Sequence, residues 1–138
     1  MLEFSWDFFA EELIQQLGDD LFAALRERRT LVPFTNRFSD ITVEDAYGIS
    51  LQFLNRRVAA GERVIGKKIG VTSKPVQDML GVFQPDFGFL TNAMHCEDGA
   101  TVSFKQMGLI QPKAEGEIAF MLKADLKGPG ITREQVMA

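Results

Sequence analysis

Two glutamates one residue apart, Glu115 and Glu117, stand in the run Gln111-Pro112-Lys113-Ala114-Glu115-Gly116-Glu117-Ile118-Ala119-Phe120. On an extended strand, side chains two apart leave from the same face, so these acids would point together. Gly116, Ile118, Phe120 and Leu122 would take the opposite face, while Ala119 and Met121 continue the acidic one as an apolar surface. Two carboxylates about 6 Å apart repel by roughly 3 kcal/mol at an effective dielectric of 20. A site that keeps both ionised calls for a cation between them, and hard oxygen donors suit Mg²⁺ or Mn²⁺. Spacing alone fits a solvent-facing pair on an edge strand at least as well.

Three further groups carry candidate chemistry. Lys67 and Lys68 are neighbours in a β-branched, glycine-punctuated run, so they leave a strand on opposite faces. One can be solvated while the other points inward to neutralise a carboxylate or polarise a carbonyl; two surface lysines would look the same. Thr72 and Ser73 follow and could donate to the same ligand, although capping a helix suits Ser73 better. Asp86, between Pro85 and Phe87, could transfer a proton or simply form a turn. His95 and Cys96 are adjacent but lack further ligands of their kind, and both read as structural.

The elements that must position these groups divide the chain into a helical region, residues 1–61, and a segment richer in strands, 62–138. Phe9, Leu13, Leu17, Leu21, Ala24 and Leu25 recur at helical spacing. Gly18-Asp19-Asp20 predicts a break there, giving two helices or one broken helix. After a loop over Leu31 to Ser39, a helix is predicted from an Asp40 or Thr42 cap to Ala60-Gly61, with Glu44 and Asp45 in its first turn. Arg63 to Val71 reads as a strand and Thr72-Ser73 as the cap of a short helix to Leu80. Gly81 to Leu90 reads as a loop, Glu97-Asp98-Gly99 as a turn, Thr101 to Phe104 as a short strand and Glu115 to Lys123 as a longer one. Gly128-Pro129-Gly130 is a turn, and Thr132 caps a helix of barely one turn. A single turn is unstable alone, so the ending predicts a fragment.

Composition narrows the function classes. The 138 residues suit a single domain, and the net charge of -4 carries no basic run. Arg26, Arg28 and Arg29 flank Glu27 and read as a solvated helix end, so nucleic acid is not the expected partner. Cys96 is the lone cysteine, which excludes an intramolecular disulfide. Glu3, Asp7, Glu11 and Glu12 interrupt the apolar N-terminal stretch as a signal peptide would not, and no segment has the length of a membrane span. A soluble, cytoplasmic protein is expected.

Three blocks in order resemble the hydratase/decarboxylase family, which includes 2-oxopent-4-enoate hydratase and 4-oxalocrotonate decarboxylase within the fumarylacetoacetate-hydrolase-like fold. They are Val64 to Ser73, then Leu80-Gly81-Val82 with Gln84-Pro85-Asp86-Phe87-Gly88, then Gln111 to Ala119. Asp45-Ala46-Tyr47, Asp125-Leu126 and Gly128-Pro129-Gly130 also match, and the resemblance runs from about Asp19 to Ala138. It implies an α+β fold in which N-terminal helices precede the first part of a mixed β-roll, incomplete in this chain because the family is nearly twice as long. It further implies that Glu115 and Glu117 are two of three carboxylate ligands to Mg²⁺ or Mn²⁺, the third lying beyond Ala138. Lys68 becomes the active-site lysine and Asp86 an active-site acid, while Thr72 and Ser73 stay candidate substrate donors by their place after the strand. The implied activity is that of a hydro-lyase of aromatic catabolism, converting 2-hydroxypenta-2,4-dienoate to 4-hydroxy-2-oxopentanoate in a homo-oligomer. Gln84 to Gly88 and Lys67-Lys68 look more like the hydratases than the decarboxylases. A decarboxylase, or a non-catalytic fragment or assembly partner, are the alternatives.

Overall fold

The computed structural model describes residues 6–137, with side chains from Glu11 onward. Glu3, one of the acids weighed against a leader, and the Phe9 side chain lie outside the described residues. Helix α1 spans Trp6–Glu27 and α2 spans Val43–Ala59, with a 3-10 turn at Phe34–Asn36 between them. Strand β1 (Val64–Gly70) is followed by helix α3 (Lys74–Leu80), strand β2 (Asp86–Thr91) and a 3-10 turn at Asn92–Met94. Helices α4 (Phe104–Met107) and α5 (Arg133–Met137) complete the order.

The expected break at Gly18-Asp19-Asp20 is absent, and α1 runs through it as one helix. Helix α2 packs closely against Gly18: a Cβ there would sit 2.5 Å from Gln52 Cβ. Glycine costs a helix about 1 kcal/mol against alanine, and this close approach gives the residue a packing role. Asp19 accepts hydrogen bonds from Gln52 Nε2 at 2.7 Å and Arg56 Nε at 2.6 Å. Ile14 lies against Gly48, Gly18 against Gln52, and Asp19 against Arg56, so contacts advance together along the two helices. The connection over residues 28–42 therefore has to run back along α1, which explains its length. Leu17, Ala24 and Ile49 are the buried apolar side chains among the described residues.

Helix α2 starts where expected. Thr42 Oγ1 accepts from Asp45 N at 3.1 Å while Thr42 N donates to Asp45 Oδ2 at 3.0 Å, a reciprocal cap. At its other end Arg57 and Thr91 are buried, and both bond Glu62. Arg57 Nη2 also donates to Thr91 Oγ1 at 2.9 Å, which ties the end of α2 to the end of β2. Burial pushes the Glu62 carboxyl up, but hydrogen bonds from Arg57 and Thr91 outweigh it and hold the group below its ordinary value.

Strands β1 and β2 pair antiparallel, with Lys67 opposite Phe89, Lys68 opposite Gly88 and Gly70 opposite Asp86. Three expectations are corrected here. The end of the expected loop, from Asp86 onward, is β2; the Gln84-Pro85 turn signal and Gly88 obscure the alternation of Phe87 and Phe89. In place of a strand at Thr101–Phe104, helix α4 begins at Phe104, and Ser103 Oγ accepts from Gln106 N at 3.4 Å. Glu115–Lys123 is irregular, because no strand among the described residues pairs with it and an unpaired strand leaves its backbone groups unsatisfied. The described fold is α+β, with a two-stranded sheet where a larger mixed β-roll is expected.

The small core leaves much apolar surface, with Met121 99% exposed, Phe83 92% and Ile118 85%. Sedimentation velocity on this chain should accordingly show concentration-dependent association; a monodisperse monomer at all loadings would contradict that. Asp19 gives a second expectation. Hydrogen bonds from Arg56, then Gln52, hold its carboxyl at about 2 against an ordinary 3.8. A depressed carboxylate stabilises the fold above its unfolded value and loses that contribution as pH falls through the folded one. Helicity should therefore fall between about pH 4 and pH 2, and Asp19→Asn should flatten that limb in acid titration by circular dichroism.

Candidate active site

The alternation of β1 separates its two lysines. Lys67 Nζ lies 5.5 Å from the ring centroid of Phe89, its cross-strand partner, in a cation–π contact. Lys68 leaves from the other face and meets both candidate acids: its Nζ is 2.9 Å from Glu117 Oε1 and 3.3 Å from Glu115 Oε2. The acids therefore converge on one cation although their segment is not a strand. All three side chains remain about half exposed. Hydrogen bonds to Glu117, then Glu115, push the Lys68 ammonium above the ordinary lysine range.

Asp86 belongs to the same face of the hairpin, because Gly70 opposite it and Lys68 are two residues apart on β1. A Cβ on Gly70 would collide with Asp86 Oδ1, so glycine there lets the carboxylate lie across the strand. Phe87, on the reverse face, stacks on Tyr47 of α2 with centroids 4.7 Å apart and planes 16° apart. That stack fixes the start of β2 against the helix.

Thr72 and Ser73 are exposed just beyond β1. Ser73 occupies the N-cap position of α3, yet its side chain makes no capping hydrogen bond, so the role expected for it is not performed. Before them, Val71 adopts φ 54, a conformation β-branched residues rarely take, and its carbonyl accepts from Gln77 Nε2 at 2.9 Å. No signal in the sequence marks that turn. Gly70 gives the close approach that its place in the glycine-punctuated run around Lys68 predicts, whereas spacing did not single out Tyr47, which a search for aromatic partners of the Phe87 face would have found. His95 faces Glu97 at 3.8 Å and Cys96 the Met107 sulfur at 3.7 Å, both exposed.

The donor set fits a hard cation in part. Glu115 and Glu117 offer carboxylate oxygens to one point, which is what Mg²⁺ or Mn²⁺ requires of its ligands. Among the described residues no group of three or more His, Cys, Asp or Glu side chains is placed to hold a metal. No helix among them is long and apolar enough to cross a membrane.

No family model matches the chain. Curated relatives do. The chain is 66% identical over 128 residues to a 2-hydroxyhexa-2,4-dienoate hydratase of Comamonas testosteroni, a match covering 93% of this chain and 48% of the relative. It is 62% identical over 126 residues to a 2-hydroxypent-2,4-dienoate hydratase of Pseudomonas putida, covering 91% of this chain and 56% of that one. Over about nine-tenths of its length the chain is similar to these hydratases. It spans about half the length of these relatives. Among solved structures it resembles the 4-oxalocrotonate decarboxylase from Pseudomonas putida G7, complexed with magnesium and adipate, at 30% identity and a TM-score of 0.56. That likeness covers 59% of this chain and 31% of the decarboxylase.

The lysine–glutamate cluster has a direct readout in this chain. The Lys68 amine titration, followed by NMR, should shift down toward the ordinary lysine value in Glu117→Gln, and less in Glu115→Gln, whose contact is longer. An unmoved titration in both variants would show that the carboxylates do not share this cation.

Proposed function

We propose that the full-length protein is a divalent-metal-dependent hydratase that converts 2-hydroxypenta-2,4-dienoate, or a substituted form of it, to the 4-hydroxy-2-oxo acid. The observation that carries this reading is the convergence of Glu115 and Glu117 on one cation, on the hairpin face that also carries Asp86. The names of the two hydratase relatives support the substrate class, and the magnesium in the decarboxylase complex supports the metal. Glu115 and Glu117 would hold Mg²⁺ or Mn²⁺ together with a carboxylate from beyond Ala138. When bound, the ion supplies stabilisation of the negative charge that develops on the 2-oxygen as the dienol ketonises.

The chain's own residues do the rest. Lys68 binds the substrate carboxylate or 2-oxygen through its ammonium, exchanging part of its pairing with the glutamates. Thr72 and Ser73 donate hydrogen bonds to the same end of the substrate. Asp86 relays a proton to C5, which leaves a conjugated enone, or orients the water that adds at C4. The hydroxyl goes to C4 and the proton to C3, giving 4-hydroxy-2-oxopentanoate from the five-carbon acid. No covalent nucleophile is required.

In this reading residues 1–61 form a helical brace and 62–138 the first part of the β-roll catalytic domain. We place the protein in the cytoplasm and read it as a homo-oligomer, the second supported by exposed apolar side chains that further strands and neighbouring subunits would cover. The structural likeness favours a second reading, 4-oxalocrotonate decarboxylase; the higher identity to the hydratases weighs against it. Product analysis separates the two, since only the decarboxylase releases carbon dioxide.

Full-length enzyme should deplete the dienoate chromophore, stop when the metal is chelated, and recover with Mg²⁺ or Mn²⁺. Glu115→Gln or Glu117→Gln should lower kcat/KM by about 100-fold or more. Turnover that survives chelation, or a variant at wild-type rate, would remove the carboxylate pair from the mechanism.

A further inference from the structure

The hairpin face that carries Lys68 has a pattern the chemistry above does not use. Its cross-strand pairs are Gly66 with Leu90, Lys68 with Gly88 and Gly70 with Asp86, so each joins one side chain to one glycine. Directly opposed residues of an antiparallel pair have Cβ positions about 4.5–5.5 Å apart, so a side chain can lie over a glycine partner. Two of the pairs use that freedom. Asp86 lies where a Cβ of Gly70 would be. Leu90 Cδ1 comes within 3.8 Å of the Cβ position of Gly66, which also borders the register shift in β1.

Gly88 differs from both. Apart from its chain neighbours, no atom of the described residues lies within 4 Å of where its Cβ would be. Its φ is not in the left-handed region either. Lys68, its partner, extends to Glu117 and Glu115 and leaves the glycine bare. Neither packing nor backbone conformation therefore calls for glycine at this position, although glycine inside a strand weakens it. A strand glycine of that kind marks the close approach of a ligand or of another backbone. The bare stretch is bounded along β2 by Asp86 and Leu90, each two residues and about 7 Å away, and across the pair by Lys68.

We propose that Gly88 is a specificity-determining position, where the flat, conjugated skeleton of the acid lies against the strand backbone with its carboxylate at Lys68. The proposal rests on the hydratase reading and adds to it the shape of acid that the site admits. The positive charge of Lys68 favours an acid over another backbone as the occupant. A planar skeleton can rest on bare peptide and still reach the lysine beside it. A Cβ at position 88, or a quaternary carbon in the acid, puts a methyl group between skeleton and backbone and lifts the carboxylate away from Lys68.

The test uses full-length, metal-loaded enzyme. Gly88→Ala should raise KM for the dienoate by about tenfold or more while kcat changes little. Its melting temperature should not fall, because alanine suits a strand interior better than glycine. Gly66→Ala, on the same face but beneath Leu90, should leave KM unchanged. Calorimetry on the wild type gives a readout that needs neither variant to fold. There 3,3-dimethyl-2-oxobutanoate should bind at least about tenfold more weakly than 2-oxobutanoate. A wild-type KM in Gly88→Ala, or equal affinities for the two acids, overturns the proposal and leaves the hydratase reading standing. A lowered melting temperature with an unchanged KM also overturns it, and shows that another segment of the full-length chain packs on Gly88. Absence of turnover of every dienoate overturns the hydratase reading, and the two calorimetric affinities then decide the role of Gly88 by themselves.

Discussion

Two carboxylates drawn to one point repel each other unless a positive charge lies between them, and the arrangement around Lys68 follows from that requirement. In this chain the ammonium of Lys68 is the charge they share. Its raised proton affinity is the same interaction seen from the lysine. In the proposed function a dication would satisfy the pair with the same oxygen atoms and release the lysine toward a bound acid. That proposal requires the lysine and the acids to stay on one side of the hairpin.

The rest of the described fold keeps them there. Strand alternation sends Lys67 to Phe89 and Lys68 to the glutamates, and the pairing with β2 brings Asp86 onto the Lys68 face. The hairpin is held against α2 at two points: the Tyr47–Phe87 stack near one end and the Arg57–Glu62–Thr91 network at the other. Helix α2 is in turn fixed to α1 by the close approach at Gly18 and the bonds of Asp19. At Gly18 and Gly70 alike, the missing Cβ makes room for a side chain of the neighbouring element, Gln52 at the first and Asp86 at the second.

What could be read from the sequence was local. The reciprocal cap of Thr42 and Asp45, the strand of Val64–Gly70 and the division of labour between Lys67 and Lys68 all depend on residues close in the chain. Apart from Thr101–Phe104, where the Ser103–Gln106 cap of α4 is local, the misreadings share a cause, since each concerns a partner remote in sequence. Gly18 reads as a helix breaker until Gln52 is placed beside it. Asp86–Thr91 reads as a loop until β1 lies alongside, and Glu115–Lys123 reads as a strand although no neighbour pairs with it here. The convergence of Glu115 and Glu117 was predicted on strand geometry; it is reached instead through attraction to Lys68, and the family resemblance was what gave the pair a chemical role. Val71 and its left-handed turn left no trace in composition or period.

The most direct measurement of this account is anomalous diffraction from crystals of the full-length protein grown with Mn²⁺ and a 2-oxo acid. The account predicts a single manganese peak bonded to carboxylate oxygens of both Glu115 and Glu117, with Lys68 turned from them to the bound acid. A peak elsewhere, or glutamates still paired with Lys68 while the acid occupies its site, would contradict it.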